Sequence, residues 1–287
     1  MRYVEFEKIV DAVESLCTSA AFELPDDVLN ALKHTSKKES SPRAVKILNQ
    51  LIENAKIAKQ ETIPLCQDTG LVVVFVEQGS DIHINPPKGS PDLTIIDAIN
   101  TGVKAGYEKG YLRASVVAEP LNKRLNTGAN TPAIIHYTIV PGDKLKITLM
   151  AKGGGCENKS RFKMFRPTAD RSEIIDWVTS IVKQAGADAC PPLIVGVGIG
   201  GDFESCCLLS KKALLRELGS KNGDKFYAKL EEDLLSAINA TGLGPQGLGG
   251  DTTALACMIE TAPCHIASLP VAVNIECHSH RHKSATI

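Results

Sequence analysis

Nine cysteines are spread along the 287-residue chain, and they are its most obvious candidates for chemistry. Their odd number, their wide spacing and the lack of close C-x-x-C pairs argue against a disulfide framework and against a structural zinc module. Free cysteine is among the most buried residue types, so any one of these thiols taken alone is best interpreted as a small core side chain. A metal-binding subset has to be identified from its neighbours.

Two of these cysteines lie in short segments rich in polar residues or glycine. Cys66 is followed by Gln67 and Asp68, directly ahead of an apolar run, and Cys156 follows three successive glycines. A thiol, an amide and a carboxylate in succession could bind a metal or a substrate, whereas Asp68 could also merely cap a turn and Gly70 supply a positive φ. The triple glycine exposes successive backbone N–H groups, which suits a carboxylate or phosphate, with a flexible turn as the equal alternative.

Cys190 precedes a glycine-rich apolar segment that matches a nucleotide-binding pattern. Gly196, Gly198 and Gly201 satisfy G-x-G-x-x-G, the fingerprint that places a pyrophosphate on a helix N-terminus. The fingerprint also needs an acidic residue at the end of a second strand about 20 residues further on, and Glu217 at that distance lies in a helical pattern. Nucleotide binding is therefore the minor alternative.

The C-terminal region carries a lone histidine, His265, then Cys277 and an alternating run of histidines at 278, 280 and 282. Alternate spacing on a terminal tail is only a weak zinc pattern. We expect this polar tail to be either a disordered surface or half of a site that is completed elsewhere.

Hydrophobic periodicity predicts the elements that must position these groups. Helices are predicted over residues 1 to about 60 (one starting at 25–27), 92–109, 170–187, 205–218 and 225–240, and strands over 71–77, within 133–151 as a hairpin turning at 141–143, and over 193–197 and 269–275. The fold class is thus α/β, or mixed α+β, with a helical N-terminal layer followed by alternating strands and helices. We expect a single domain over 1–287, with at most two sub-lobes and no clear linker.

The overall composition is that of an ordinary soluble protein, with 43% hydrophobic and 23% charged residues and a formal net charge of −1. A near-neutral charge gives no long-range attraction to nucleic acid or to an anionic membrane, so no partner of either kind is expected. The sequence lacks both a membrane-spanning apolar run and a signal-peptide pattern, which predicts a cytoplasmic protein.

Taken together, these segments resemble the class I, iron–sulfur-dependent fumarate hydratases and the related L-tartrate dehydratases. The resemblance covers essentially the whole chain and rests on five motifs in order: PLCQDTG, RLNTGANTP, KGGG-x-ENKS, ACPPL…GIGG and HIASLPVAVNIEC. It implies the N-terminal Fe–S hydro-lyase domain of that family, with a [4Fe–4S] cluster held by Cys66, Cys190 and Cys277. The fourth iron is left open as a Lewis acid toward the substrate hydroxyl. Cys156 stands where the family usually has Ser, so it is interpreted as a neighbour of the site and not a ligand.

The resemblance also implies roles for individual residues at matching motif positions. Asp68 is a candidate for proton transfer, and His265 for an acid–base or hydrogen-bonding group near the leaving hydroxyl. Arg113 would pair with a substrate carboxylate. The remaining substrate-binding residues would be Gln67, Asn126, Thr127 and the backbone of Gly155.

Single-chain members of this family continue into a second domain, whereas this sequence stops soon after Cys277. The resemblance therefore implies the α subunit of the two-subunit form, completed by a β subunit in an α2β2 assembly, with negligible turnover by the isolated chain. The expected substrate is a small dicarboxylate. Fumarate and L-malate are preferred as the commoner central-metabolic pair, and L-tartrate is the alternative.

Overall fold

The computed structural model describes residues 1–287. The elements in chain order are β1 (Arg2–Glu5), α1 (Phe6–Phe22), α2 (Asp26–Lys38), α3 (Pro42–Glu61), β2 (Leu71–Gly79), β3 (Ile82–Asn85), α4 (Ile95–Lys109), β4 (Ile134–Val140), β5 (Leu145–Lys152), α5 (Gly154–Glu157), β6 (Arg161–Phe165), α6 (Arg171–Ala185), β7 (Leu193–Gly200), α7 (Phe203–Ala213), α8 (Lys225–Asn239), β8 (Ala254–Ala262), β9 (Leu269–Glu276) and β10 (His282–Thr286). After the short strand β1, three helices lead into alternating strands and helices, and the predicted mixed α/β class is confirmed.

The chain divides into two compact units. Unit 1 comprises Met1–Pro25, Ile57–Gly154 and Arg281–Ile287, and unit 2 comprises Asp26–Lys56 and Gly155–His280. The continuous polypeptide thus passes from one unit to the other four times. None of the helices combines the length and the apolar character needed to cross a membrane.

Unit 1 is built on a four-stranded sheet with the order β10-β5-β2-β4. β2 is apolar along most of its length because it is a central strand, parallel to β4 and antiparallel to β5. Its core also contains α1 and α4, whose apolar residues recur at helical spacing and are buried together. The two helices approach closely at Gly102, where a Cβ would lie 2.7 Å from the carbonyl oxygen of Val10.

The strands β4 and β5 lie where they are predicted, but they do not form a hairpin. β2 lies between them, so the connection 141–144 has to cross the end of β2. The Gly79 N–H donates to the Lys144 carbonyl at 2.9 Å, and a Cβ on Gly79 would lie only 2.3 Å from the Gly142 oxygen. The hairpin prediction is wrong because periodicity identifies strands without specifying which strand each one pairs with.

Unit 2 is built on a second four-stranded sheet with the order β6-β9-β7-β8. Apolar residues of β7, α6 and α8 form one core on one face of this sheet. On the other face α7 lies directly on β7, where a Cβ on Gly196 or Gly198 would lie 2.1 Å or 2.2 Å from a carbonyl oxygen of α7. The strand is therefore longer than the predicted 193–197, and two glycines of the G-x-G-x-x-G pattern lie inside it. They permit close helix–strand packing and do not form the phosphate-binding loop that the fingerprint requires.

Two predicted element boundaries are displaced by local side-chain chemistry. α4 begins at Ile95 and not at residue 92, because the Asp97 carboxylate accepts the Thr94 N–H at 2.8 Å and closes the first turn there. α7 begins at Phe203, two residues earlier than predicted, because Asp202 caps it by accepting the Ser205 N–H at 2.8 Å.

The C-terminal tail is ordered, which excludes a disordered surface, the first of the two alternatives for it. Residues 282–286 form β10, which pairs antiparallel with β5. Ser279, His280 and Arg281 are buried ahead of it. The Nε2 atom of His280 lies 2.7 Å from the Leu214 carbonyl oxygen, so that histidine is held by a backbone acceptor in unit 2.

Candidate functional site

The predicted substrate residues of unit 1 lie on three loops: one ahead of β2, one after α4 and one ahead of β4. The Thr69 hydroxyl donates to the Arg113 carbonyl at 2.7 Å, which joins the first loop to the second. The third loop is joined to both by Asn130, whose Oδ1 accepts the Ser115 N–H at 2.7 Å and whose Nδ2 donates to the Gly70 carbonyl at 3.1 Å. Asn130 is 0% exposed, so its buried amide joins the three loops by hydrogen bonds. Sequence reasoning missed it within the motif RLNTGANTP.

Asn126 and Thr127 contact the same loop system. The Asn126 amide donates to the Ala114 carbonyl at 2.8 Å, and its oxygen accepts the Gly128 N–H at 2.7 Å. The Thr127 N–H donates to the Val116 carbonyl at 2.9 Å. The side chain of Asn126 is thus already engaged in holding the loop.

Asp68 orients the glycine-rich end of β5 as well as its own loop. Its Oδ1 accepts the Gly70 N–H at 3.0 Å, and its Oδ2 accepts the Gly154 N–H at 2.9 Å. Gly70 has a φ of +78°, and a Cβ on Gly153 would lie 3.3 Å from Asp68 Oδ2. The turn-capping interpretation of Asp68 and the positive φ of Gly70 are therefore both observed, while each carboxylate oxygen keeps a further lone pair.

Arg281 is a second residue that sequence reasoning missed, because it falls in the stretch interpreted as a polar tail. Its side chain is 2% exposed, and Nη1 donates to the Asp68 carbonyl oxygen. Its Nε is buried without a hydrogen-bond partner. Lys152, at the end of β5, is also buried, at 1% exposure. Arg281 directly precedes β10. The weak sequence signal for β10 is the alternation of Ala285 and Ile287, which pack on the unit 1 core.

In unit 2 the segments that carry Cys190 and Cys277 are hydrogen-bonded to each other. Cys190 follows a 3₁₀ turn and has a left-handed backbone, with φ 53° and ψ 62°. Its carbonyl oxygen accepts the His278 N–H at 3.5 Å and lies 2.9 Å from His278 Nδ1, which must be the donor. Gln246 supports the same turn, since its Nε2 donates to the Pro191 carbonyl at 2.8 Å. Cys190 is exposed and Cys277 is half-buried.

Cys277 also lies beside two other possible metal ligands. The Sγ atoms of Cys156 and Cys277 and a carboxylate oxygen of Glu276 all lie within 4.8 Å of one another. The Cys156 thiol donates to the Ala189 carbonyl at 3.3 Å, which places Cys156 next to the turn that leads to Cys190. Cys156 thus lies close to Cys277, and Glu276 is a further group that the sequence did not single out.

The remaining predicted residues lie apart from these contacts or on exposed positions. Gly155 is exposed in the four-residue helix α5, and the neighbouring Gly154 N–H already donates to Asp68, so the glycine run is a helix start and not an open loop. His265 is exposed on the loop between β8 and β9, where its Nδ1 accepts the Ala267 N–H at 3.1 Å. That bond leaves the proton of the neutral ring on Nε2. The side chains of Gln67 and Arg113 are exposed.

Several other cysteines are held as protonated thiols by their surroundings. Burial raises the pKa of the Cys17 and Cys257 thiols far above the usual range, and it raises the pKa of Cys206 to about 12. Because the thiolate is the form that binds metal, these three are core side chains.

Comparison with known proteins assigns the chain to a family. The family model described as fumarate hydratase (Fumerase) matches residues 10–286. A protein of Methanocaldococcus jannaschii, provisionally named L(+)-tartrate dehydratase subunit alpha, is 44% identical over 278 residues, covering 96% of this chain and 95% of its own. The L(+)-tartrate dehydratase subunit alpha of Escherichia coli strain UTI89 is 31% identical over 276 residues, covering 96% and 89%. Because these matches run nearly the whole length, the chain belongs to the fumarate hydratase (Fumerase) family and is a hydro-lyase.

Proposed function

We propose that this chain is the α subunit of an iron–sulfur hydro-lyase that acts on a C4 dicarboxylate together with a β subunit. The observation that carries the proposal is the 44% identity, over 96% of the chain, to a protein provisionally named as a dehydratase subunit alpha. The relative of Escherichia coli also has subunit alpha in its name. An α2β2 assembly is the stoichiometry that the family resemblance implies.

In this proposal Cys66, Cys190 and Cys277 hold a [4Fe–4S] cluster. Two features support it: iron–sulfur clusters are held by thiolates, and the Cys190 turn is hydrogen-bonded to the residue after Cys277. Cys66 is half-buried on the polar loop ahead of β2, and it differs in this from the deeply buried Cys17 and Cys257. When bound, the cluster supplies an open iron site that acts as a Lewis acid toward the substrate hydroxyl.

Arg113 is the proposed partner of a substrate carboxylate. Its guanidinium is exposed, while its backbone carbonyl is fixed by the Thr69 hydroxyl. A planar guanidinium can donate two parallel hydrogen bonds to one carboxylate, which selects a charged acid and orients it. Gln67, Asn126, Thr127 and the Gly155 backbone are the proposed polar lining for the rest of the substrate.

Asp68 and His265 are the proposed proton-handling groups. Two backbone N–H donors hold the Asp68 carboxylate in one orientation, and Arg281 fixes its peptide carbonyl. A carboxylate so fixed can accept a proton without first reorganising. Because its Nδ1 accepts the Ala267 N–H, His265 offers its Nε2–H as a donor to the leaving hydroxyl.

L(+)-tartrate is the substrate that the comparisons favour, because the named relatives over nearly the whole chain are tartrate dehydratase subunits. Fumarate, preferred on general grounds from the sequence, gives the matching family its name and stays a prediction. Both are four-carbon dicarboxylates, so Arg113 would serve either one.

The test is to purify the chain with its β subunit anaerobically, load iron and sulfide, and measure kcat/KM for L(+)-tartrate, L-malate and fumarate. We expect turnover of at least one, with L(+)-tartrate first. Cys190→Ser should abolish it, whereas Cys207→Ser, a half-buried thiol outside the proposed ligand set, should retain it. A fully loaded complex that turns over none of the three acids would refute the proposal.

A further inference from the structure

We propose that Cys156, Glu276 and Cys277 form a binding site for one zinc-like divalent ion in the cluster-free chain. Their ligand atoms all lie within 4.8 Å of one another. In a tetrahedral zinc site with bonds of 2.0–2.3 Å, ligand atoms lie roughly 3.5–3.8 Å apart. Side-chain rotation therefore has to close a gap of about 1.3 Å at most.

The fold of unit 2 places all three groups without rearranging its sheet. Glu276 is the last residue of β9, where its register partner is Ile194 of β7, and Cys277 follows directly. Cys156 lies in α5, with its thiol held against the Ala189 carbonyl at 3.3 Å. Two thiolates and one carboxylate are a zinc-type donor set that leaves the fourth position to water.

Hydrogen bonding also favours an ion at this point. Glu276 is 0% exposed, and its Oε1 accepts the Cys277 N–H at 3.4 Å, which holds the carboxylate beside the Cys277 thiol. Asn274 lies two residues earlier on β9 and so points to the same face of the strand. Its Oδ1 is buried without a hydrogen-bond partner, and water bound to a metal ion would supply a donor on that face.

The consequence for the enzyme rests on the proposed function, whereas the ion site itself does not. Cys277 is also a proposed cluster ligand, so a divalent ion held by Cys156 and Glu276 would withdraw that thiolate from the cluster. Ion and cluster would then be mutually exclusive. Binding of the ion would release the thiol protons, and its affinity would fall with decreasing pH.

The test is titration of the full-length, reduced, metal-free chain with Co²⁺ and then with Zn²⁺. Thiolate-to-cobalt absorption reports the ligands directly, and zinc competition gives the affinity. We expect one ion per chain and a loss of affinity of more than about tenfold in Cys156→Ser, Cys277→Ser and Glu276→Gln, because even the outer partners of metal ligands are worth 10–100-fold. Cys66→Ser, Cys190→Ser and Cys207→Ser should bind as the wild type does.

The outcomes separate this inference from the proposed function. Absence of cobalt binding, or binding lost with Cys66 or Cys190 but kept without Cys156, would overturn the ion site and leave the cluster ligands standing. Cys156→Ser is the decisive variant because it is nearly isosteric, and circular dichroism checks its fold. It should still take up iron and sulfide. A wild-type chain that binds one Co²⁺ through Cys156 yet never takes up iron would defeat the proposed function and keep the ion site.

Discussion

The environments of the individual cysteines separate structural thiols from candidate ligands. Cys17 and Cys257 lie within the two hydrophobic cores, whereas Cys190 and Cys264 are exposed. Composition and spacing did not distinguish them, because burial depends on residues distant in sequence. The motifs around Cys66 and Cys190 instead identified these two as candidate ligands.

A first prediction concerns the reactivity of these thiols in the reduced, cluster-free chain. At pH 8 iodoacetamide should modify Cys190 and Cys264 rapidly and should leave Cys17, Cys206 and Cys257 intact. A pKa of about 12 leaves about one Cys206 side chain in ten thousand as thiolate at pH 8, since each pH unit is a factor of ten. Peptide mass mapping over a time course measures this. Equal rates at Cys257 and Cys264 would show that the core opens freely.

A second prediction separates the two roles of Arg113. The loop contact uses its backbone carbonyl, so Arg113→Ala should leave thermal stability nearly unchanged. Loss of a charge-assisted bond worth about 1.5–3 kcal/mol should lower kcat/KM for the dicarboxylate by roughly 10–150-fold.

The control for this prediction is Arg166→Ala, at an exposed position on the turn between β6 and α6. It should leave both stability and kcat/KM close to wild type. If Arg113→Ala keeps its full kcat/KM in the assembled enzyme, Arg113 does not bind the substrate carboxylate.

The conformation of a single residue was predictable where it depends only on residues a few positions away in the sequence. The sequence indicated a capping Asp68 and a positive φ at Gly70, and both are present. It did not indicate that Asn130 and Arg281 are buried, or that both form hydrogen bonds to the loop that contains Asp68 and Thr69. Their burial depends on strands and loops that only the tertiary fold brings together.

At the scale of elements, the glycines of β7 have a packing role. Gly196 and Gly198 face α7, and any side chain there would overlap its backbone. The sequence therefore matches the pattern G-x-G-x-x-G, but Gly196 and Gly198 lie in a strand and do not form a phosphate-binding loop.

A third prediction tests that role. Gly198→Ala should lower the free energy of unfolding by about 3 kcal/mol, because its Cβ would lie 2.2 Å from the Cys206 carbonyl oxygen and must displace α7. Gly223→Ala is the matched control, since nothing lies within 4 Å of a Cβ there, and it should stay within about 0.5 kcal/mol of wild type. Urea denaturation measures both. A stable Gly198→Ala variant that loses saturable NAD binding would restore the nucleotide interpretation.

The elements themselves were largely predictable, and their pairing was not. Helical periodicity predicted α8 over 225–240, and it is observed over Lys225–Asn239. β4 and β5 were predicted as a hairpin, but their connection crosses the end of β2. The terminal tail was not predicted as a strand, but it contains β10. Both errors concern long-range pairing, which a period of two residues cannot specify.

At the scale of the whole molecule, four passages between two units mean that neither is a continuous stretch of sequence. No change in composition marks the boundaries, which explains why no linker was visible. The functional assignment at this scale came from motif order over the full length, and the family match over residues 10–286 agrees with it.

A fourth prediction concerns the need for a partner chain. The cluster-loaded chain alone should turn over a C4 dicarboxylate at least about a hundredfold more slowly than the assembly with its β subunit, since one missing positioned group already costs that much. Adding purified β subunit to the same sample should restore the rate. Equal rates with and without it would show that this chain is catalytically complete.

The most direct test of the proposed function is iron and sulfide analysis of the anaerobically reconstituted chain, with EPR after one-electron reduction by dithionite. The proposed ligand set predicts about four irons and four sulfides per chain, with a signal that changes when L(+)-tartrate or L-malate is added to the complex. Single Ser replacements of Cys66, Cys190 and Cys277 should remove this signal, whereas Cys207→Ser should keep it. A reconstituted chain without iron, or one whose cluster survives loss of Cys190 or Cys277, would contradict the proposed cluster site.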